Sequence, residues 1–170
     1  MFGAKFKFKE MTIAAFDHLD IKQKKELLYN CCASDAWVKE MLTVFPVNDL
    51  VDLLEYAEEK WYECNAAEWL EVFHRHKKIY EPGNSIDNAN SGEVNFLNFS
   101  KEQFEELVKD CEKYAEIYGF NFIILTKDKT AEEIIEVLKK RLENDPNDEL
   151  TIAAAEQSRI NQSCLQKLFV

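Results

Sequence analysis

The stretch "VNDLVDLLEYAEEKWYEC", residues 47–64, decides the fold class of this chain. Its apolar side chains recur at intervals of three and four residues, at Leu50, Leu53, Leu54, Ala57 and Trp61. That is the period of an α-helix with one buried face. The same spacing continues along almost the whole chain, which contains only four glycines and three prolines. We therefore predict an all-α, single-domain bundle of about seven to nine helices.

Most helix boundaries can also be predicted from the sequence. Helices are expected over residues 21–32, 34–45 and 146–168, and three more open on the capping-box pattern, a polar residue followed three positions later by Glu or Gln. These pairs are Asn65 with Glu68, Ser100 with Gln103, and Thr130 with Glu133. One stretch breaks the helical period, because "YGFNFIIL" at 118–125 is rich in β-prone residues after Gly119. We expect a short extended segment near 120–125, buried between helices.

Two stretches lie outside the helical pattern. The N-terminal residues 1–10, "MFGAKFKFKE", alternate Phe with Lys, and we expect a poorly ordered leader there, followed by one helical domain over residues 11–170. A short strand and a basic arm are the alternatives for this leader. The segment "EPGNSIDNANSGEVN", residues 81–95, is the one long loop, and such loops in compact domains are usually functional or disordered.

The composition limits the classes of partner and of cofactor. The formal net charge is −11, which argues against nucleic acid or an anionic membrane as a partner, because phosphates need Lys and Arg patches. No run approaches the ~18 apolar residues that a membrane span requires. The five cysteines are odd in number and show no CxxC spacing. We therefore expect no disulfide framework, no structural zinc and a reducing compartment such as the cytoplasm.

Few residues suggest chemistry by their type and position alone. The sequence has no Gly-rich phosphate loop, no GxSxG and no HExxH. His76 ends a predicted helix beside the long loop and Glu93 lies inside that loop, so the pair could perform acid–base catalysis near neutral pH. Each also has a plain explanation, since a helix C-terminus favours histidine and loop carboxylates are commonly solvated. Glu156 and Arg159 lie three apart on the last helix and are most simply a surface ion pair.

Several ordered blocks of sequence carry a resemblance to one family. They are "CC" at 31–32, "AWV" at 36–38, "EKWYECNAAEWLEVFHRH" at 59–76, and "RLEND" and "AAAEQSRI" in the C-terminal half. From about Met11 to Leu168 the chain resembles the 2-oxo-4-hydroxy-4-carboxy-5-ureidoimidazoline (OHCU) decarboxylases. The resemblance implies an all-α enzyme of urate degradation that uses no cofactor and no metal, converts OHCU to S-allantoin with loss of CO2, and forms a homodimer.

The resemblance also assigns roles to individual residues. It implies that His76 and Glu93 are catalytic, with Glu102-Gln103 as a rival match for the glutamate and its neighbour. The expected partner is a small anionic substrate of the ureidoimidazoline type. The expected substrate-binding residues are Phe122 and Ile123, through their main chains, together with Asn90, Arg159 and Cys164.

The chain departs from the family pattern at positions close to the chemistry. "KKIY" follows His76 where the pattern HPxIG has proline and glycine, Val94 replaces a glutamine, and Asp128 replaces a glycine. Cys164 stands where the family has arginine, and a thiol cannot replace the charge that pairs with an anionic substrate. The main expectation is therefore an OHCU decarboxylase weakened by these substitutions. The alternative is a non-catalytic or substrate-shifted member that acts as a small-anion binding or interaction protein.

Overall fold

The computed structural model describes residues 11–81 and 99–169. The predicted leader and nearly all of the predicted loop lie outside these ranges. The described residues form eight helices and no strand, which confirms the all-α prediction. The helices are α1 (Ile13–Asp17), α2 (Ile21–Cys31), α3 (Asp35–Val44), α4 (Leu50–Tyr62), α5 (Ala66–Arg75), α6 (Lys101–Tyr118), α7 (Ala131–Arg141) and α8 (Pro146–Leu168).

The three predicted capping boxes are all present in the structure. Asn65 opens α5, Ser100 opens α6 and Thr130 opens α7, each with the reciprocal bond from the third residue of its helix. A fourth box, Asp20 with Gln23, opens α2. Each box satisfies backbone N–H groups that the first helical turn leaves without partners.

Helix α8 is the centre of the bundle. It runs for 23 residues and packs against α2, α4 and α6. The indole of Trp61, on α4, donates to the carbonyl of Ala154 on α8 at 2.8 Å, and that of Trp37 donates to Ala57 at 3.0 Å. Trp37 and Trp61 are fully buried, as their apolar spacing predicts, whereas Trp69 is partly buried.

The two ends of the described domain meet beside the core. The N–H of Met11 donates to the carbonyl of Leu168 at 3.0 Å, and Met11 forms an isolated parallel bridge with Phe169. This pairing fixes the C-terminal end of α8 against the start of the domain. Within residues 11–81 and 99–169, none of the helices combines the length and the apolar character needed to cross a bilayer.

The expectation of no disulfide is wrong for one pair of cysteines. Cys31 at the end of α2 is bonded to Cys164 on α8, with 5.3 Å between the Cα atoms. The two residues are 133 positions apart in the chain, and nothing in their local spacing indicates that they meet. Cys32, Cys64 and Cys111 are free and buried.

Candidate functional site

His76 lies just past the end of α5, where the sequence predicts it. Its backbone N–H contacts the carbonyls of Val72 and Phe73, both at 3.3 Å, and its own backbone is extended, so that the helix stops there. Val72 and Phe73 are the buried residues of α5. They draw the end of this helix into the core, and the exposed fraction of His76 is therefore only 7%.

Two further parts of the chain, α8 and the segment after α6, form hydrogen bonds with His76. Nε2 of His76 lies 2.5 Å from the side-chain amide of Gln157 on α8. The side-chain Nδ2 of Asn121, in the segment after α6, donates to the carbonyl of His76 at 2.8 Å. His76 thus joins α5, α8 and the predicted extended segment at one point.

The environment of His76 favours a neutral ring. Burial lowers its pKa to about 4. A ring that is neutral near pH 7 gains little from the negative end of the helix dipole, so that explanation of His76 does not fit its position. His74 is the contrasting case, because it is exposed and its Nε2 lies 3.1 Å from the carbonyl of Gly119.

Gln157 and Asn161 form a buried polar pair that the sequence analysis missed. They are 0% and 1% exposed, and their side-chain amides lie 2.8 Å apart. The Asn161 side chain also hydrogen-bonds the thiol of Cys32, whose pKa burial raises strongly. A signal did exist, since both residues interrupt the buried apolar stripe of α8 that includes Ala153, Ala154, Ile160, Cys164 and Leu165.

The segment at residues 120–125 is extended and buried, as predicted. Phe122 and Ile123 are 4% and 1% exposed. The carbonyl of Ile123 accepts from Arg141 at 2.6 Å, and the N–H of Leu125 donates to Glu156 at 2.9 Å. The backbone N–H groups of Phe122, Ile123 and Ile124 have no hydrogen-bond partner among the described residues. Buried backbone groups normally find one, so this segment can present donors to a polar ligand.

A buried charged cluster holds the segment at residues 120–125 through the carbonyl of Ile123. Arg141 is paired with Glu149 through Nε at 2.7 Å and Nη2 at 2.6 Å, and the hydroxyl of Tyr114 also donates to Glu149. Asn144 donates to the second carboxylate oxygen at 2.7 Å. The sequence contains Arg141 and Asn144 in "RLEND" and Glu149 shortly after it, but it does not reveal that the ion pair is buried.

Arg159 and Cys164, the two residues of α8 that were predicted to bind substrate, lie on different sides of that helix. Arg159 follows Gln157 by two positions, which puts it on nearly the opposite side of the helix. Its side chain is 64% exposed and donates to Glu156 at 2.6 Å, which confirms the predicted ion pair. Cys164 lies on the same side as Gln157, two turns further on, but its sulfur is bonded to Cys31 and offers no thiol to a substrate.

Other predicted features of the site are outside the described residues or on its edge. Glu93 and Asn90 lie outside the described ranges. Lys77 is exposed and does not occupy the interior. Asp128 has a φ of 61°, the left-handed conformation that glycine adopts most easily, and it stands where the family pattern has glycine. In the described part of the chain, no group of three or more His, Cys, Asp or Glu side chains is arranged to hold a metal ion.

The buried, neutral His76 and the extended segment after α6 meet through Asn121, and this part of the helical bundle is the candidate for a small-molecule site. The family model for OHCU decarboxylase matches residues 17–166, and the chain belongs to that family. The family match does not favour the alternative of a non-catalytic or substrate-shifted member.

Individual relatives agree with this family assignment. The chain is similar to the uric acid degradation bifunctional protein TTL of Arabidopsis thaliana, with 33% identity over 147 residues, or 82% of this chain and 45% of that protein. The chain thus spans less than half of that relative's length.

Solved structures support the same fold. A crystal structure of OHCU decarboxylase in the presence of (S)-allantoin has a TM-score of 0.74 and 32% identity, covering 85% of this chain and 96% of that one. A crystal structure of (S)-allantoin synthase has a TM-score of 0.71, covering 93% of this chain and 54% of that one. Its 13% identity supports the fold alone.

Proposed function

We propose that this chain decarboxylates OHCU to S-allantoin in urate degradation. The observation that carries the proposal is the buried His76, held between α5, α8 and the extended segment, in a chain that matches the family from residue 17 to residue 166. The similarity to an OHCU decarboxylase solved in the presence of (S)-allantoin supports the same substrate class.

The proposed roles follow the family pattern and the geometry. His76 contacts and orients the substrate, and Glu93 is its proposed acidic partner. The backbone N–H groups of Phe122 and Ile123 receive carbonyl or carboxylate oxygens of the substrate, and Asn90 is a further substrate-binding candidate. Arg159 and Cys164 complete the predicted substrate-binding set. Because Arg159 is exposed on the far side of α8 from Gln157 and the sulfur of Cys164 is bonded to Cys31, we assign neither side chain a contact with the substrate.

The reaction breaks one carbon–carbon bond. The bonding electrons stay on the ring carbon that loses CO2 and are delocalised into the ring, after which that carbon takes up a proton on one face. Donors aimed at the ring oxygens stabilise the charge that develops there. A buried site also leaves the carboxylate poorly solvated, which favours its loss as CO2. When the anionic substrate binds, its charge raises the pKa of His76 above its unliganded value.

The position of the family's arginine limits the expected activity. With Cys164 bonded to Cys31, the substrate carboxylate meets no guanidinium from this position. Neutral donors then have to hold the anion. We therefore expect weaker substrate binding than an arginine would give, by a few kcal/mol for one lost charged hydrogen bond, roughly 1.5–3.

The direct test generates OHCU from urate and follows S-allantoin by circular dichroism. We expect formation well above the spontaneous rate, and a fall in kcat of roughly 10²–10⁴-fold in His76→Asn. His18→Asn is the matched control, because His18 is an exposed histidine at the end of another helix, and we expect its loss to leave the rate unchanged. Formation no faster than the spontaneous reaction in the wild-type protein rejects the proposal.

A second experiment tests the substituted position. We expect Cys164→Arg to increase the activity relative to Cys164→Ser, since both variants lose the disulfide but only one adds the guanidinium. Equal rates for the two variants show that the missing arginine is not what limits this chain.

The proposal also covers the assembly and the location of the protein. We propose a homodimer through helical faces, which the exposed Val51, Tyr56 and Tyr62 of α4 would suit. Light scattering on the purified chain tests this, and a monomer mass at all concentrations rejects it. We also propose a cytoplasmic location, which the three free cysteines favour and the Cys31–Cys164 disulfide opposes. Cell fractionation tests that, with recovery outside the cytoplasmic fraction as the opposing result.

A further inference from the structure

The neighbours of Asn161 determine how its side-chain amide is oriented. The nitrogen and oxygen of an amide are alike in size, so a half-turn exchanges them without changing the shape of the side chain. One of these two atoms lies 3.2 Å from the carbonyl oxygen of Cys31 and 3.2 Å from the backbone carbonyl oxygen of Gln157. Backbone carbonyls only accept hydrogen bonds, so the atom that faces both of them is the nitrogen donor.

That assignment fixes the amide of Gln157 as well. The same nitrogen of Asn161 lies 2.8 Å from the side-chain amide of Gln157. A donor needs an acceptor opposite, so we infer the same half-turn for Gln157: its Oε1 then faces Asn161, and its amide nitrogen takes the position 2.5 Å from Nε2 of His76. Because that nitrogen can only donate, Nε2 of the imidazole accepts and carries no hydrogen.

We propose that Gln157 and Asn161 are positioning residues that hold the His76 ring in the tautomer with its hydrogen on Nδ1. The ring is then a neutral hydrogen-bond donor for an oxygen atom of the substrate. The importance of this tautomer for catalysis rests on the proposed function, whereas the assignment of the tautomer itself does not.

The far end of the chain of hydrogen bonds is the contact between Asn161 and the thiol of Cys32. With its nitrogen towards the carbonyls, Asn161 presents its oxygen to the thiol of Cys32. Burial keeps that thiol protonated, so it can donate. Hydrogen bonds then run in one direction, from Cys32 through Asn161 and Gln157 to His76, and each donor meets an acceptor.

The second ring nitrogen of His76, Nδ1, determines what the ring can offer to a substrate. Nδ1 of His76 has no hydrogen-bond partner among residues 11–81 and 99–169. In the described part of the chain only burial and Gln157 shift the pKa of this ring, and no charged group contributes. In the protein without substrate, the ring therefore presents Nδ1–H as a neutral donor that can orient an oxygen atom of the substrate.

The tautomer can be read directly in the protein without substrate. In long-range ¹H–¹⁵N correlation spectra of ¹⁵N-labelled protein at pH 7, we expect His76 to show a protonated Nδ1 and an unprotonated Nε2. The spectrum of His76→Asn assigns the signals, and the exposed His18 is the internal reference. A ring protonated on Nε2, or on both nitrogens, overturns the proposal.

Variants of Gln157 show whether this residue sets the tautomer. In Gln157→Glu the carboxylate can only accept, so we expect the hydrogen to move to Nε2 and the titration midpoint of His76 to rise by roughly 1–3 pH units. Gln166→Glu adds the same charge at an exposed position of α8 and should leave the ring unchanged. If Gln157→Glu does not fold, Gln157→Leu removes the donor, and a mixture of the two tautomers is expected.

The results separate this inference from the proposed function. An Nδ1–H ring in a wild-type chain without decarboxylase activity supports the positioning role and rejects the proposed reaction. Decarboxylase activity with an Nε2–H ring does the reverse. In an active chain, we also expect Gln157→Glu to lower kcat and shift its pH profile, with both unchanged in Gln166→Glu.

Discussion

Helix α8 carries two buried polar clusters. They differ in charge and in whether all their polar side-chain atoms have hydrogen-bond partners among the described residues. The anchor cluster, Glu149 with Arg141, Tyr114 and Asn144, is ionic, and both carboxylate oxygens are bonded. The histidine cluster, Gln157 with Asn161, Cys32 and His76, is neutral throughout. The first satisfies its charges internally and fixes the extended segment through the carbonyl of Ile123. In the second, Nδ1 of His76 has no partner among residues 11–81 and 99–169, which suits the catalytic role that we propose for this cluster.

Aromatic contacts strengthen the same contrast. The guanidinium of Arg141 lies 4.7 Å from the centre of the Phe122 ring and 5.7 Å from that of Tyr114. These rings exclude water from the ion pair, and a buried charge without a partner is costly. The histidine cluster avoids this cost because burial keeps both its imidazole and its thiol neutral.

The largest predicted effect comes from breaking the anchor cluster. Glu149→Leu leaves the guanidinium of Arg141 buried without its carboxylate, and we expect a loss of roughly 3–5 kcal/mol in the free energy of unfolding. The double variant Arg141→Leu, Glu149→Leu should recover much of that loss. Urea denaturation measures both, with Glu136→Leu as the control because its pair with Lys140 is exposed. A double variant no more stable than Glu149→Leu would show that the cluster does not act through paired charge.

The anchor cluster also shows which features the sequence could not predict. The capping boxes are local, with partners three positions apart, so their pattern was sufficient and the structure confirms all three. The bonds of Arg141 and Glu149 to Tyr114 and Ile123 depend on how helices pack, and no spacing in the chain encodes that. The disulfide is the extreme case, since 133 positions separate its cysteines.

The histidine cluster was predictable only in part. His76 could be assigned from the end of its helix and from the family resemblance. Gln157 and Asn161 could have been noticed as polar residues on an apolar helical face, but their partners could not. Arg159 was predicted to bind substrate from its position in the family pattern, and only the helix rotation reveals that it faces away from Gln157.

The next largest effect concerns the disulfide, which lies close to the histidine cluster. Cross-linking residues so far apart restricts the unfolded chain strongly, and we expect reduction to lower the free energy of unfolding by roughly 2–4 kcal/mol. Urea denaturation with and without a dithiol measures the difference, and Cys31→Ser with Cys164→Ser is the control that reduction should not change further. If reduction leaves the wild-type midpoint in place, the bond does not constrain the native protein.

A third prediction uses the neutrality of the histidine cluster. The pKa of His76 is about 4 in the folded chain, against 6.5 for an unperturbed histidine, so the unfolded chain binds a proton that the folded chain does not. The free energy of unfolding should therefore fall as the pH is lowered from about 6.5 to about 4, by roughly 3 kcal/mol at most from this residue. The pH dependence of unfolding in His76→Asn, compared with wild type, isolates this contribution from the carboxylates. Identical slopes for the two proteins in this window would mean that the imidazole is not neutralised by burial.

The smallest effect is expected outside both clusters, at Arg159. Its ion pair with Glu156 is exposed on the arginine side, so Arg159→Ala should change the free energy of unfolding by no more than about 1 kcal/mol. Because this side chain lies on the far side of α8 from Gln157, we also expect the KM for OHCU to stay essentially unchanged. Steady-state kinetics by circular dichroism provides the measurement. A tenfold rise in KM, equivalent to about 1.4 kcal/mol of binding, would show that Arg159 does bind the substrate. The substrate site would then extend around α8 beyond the histidine cluster. The comparison of the anchor cluster with the histidine cluster would then not be sufficient to locate the site.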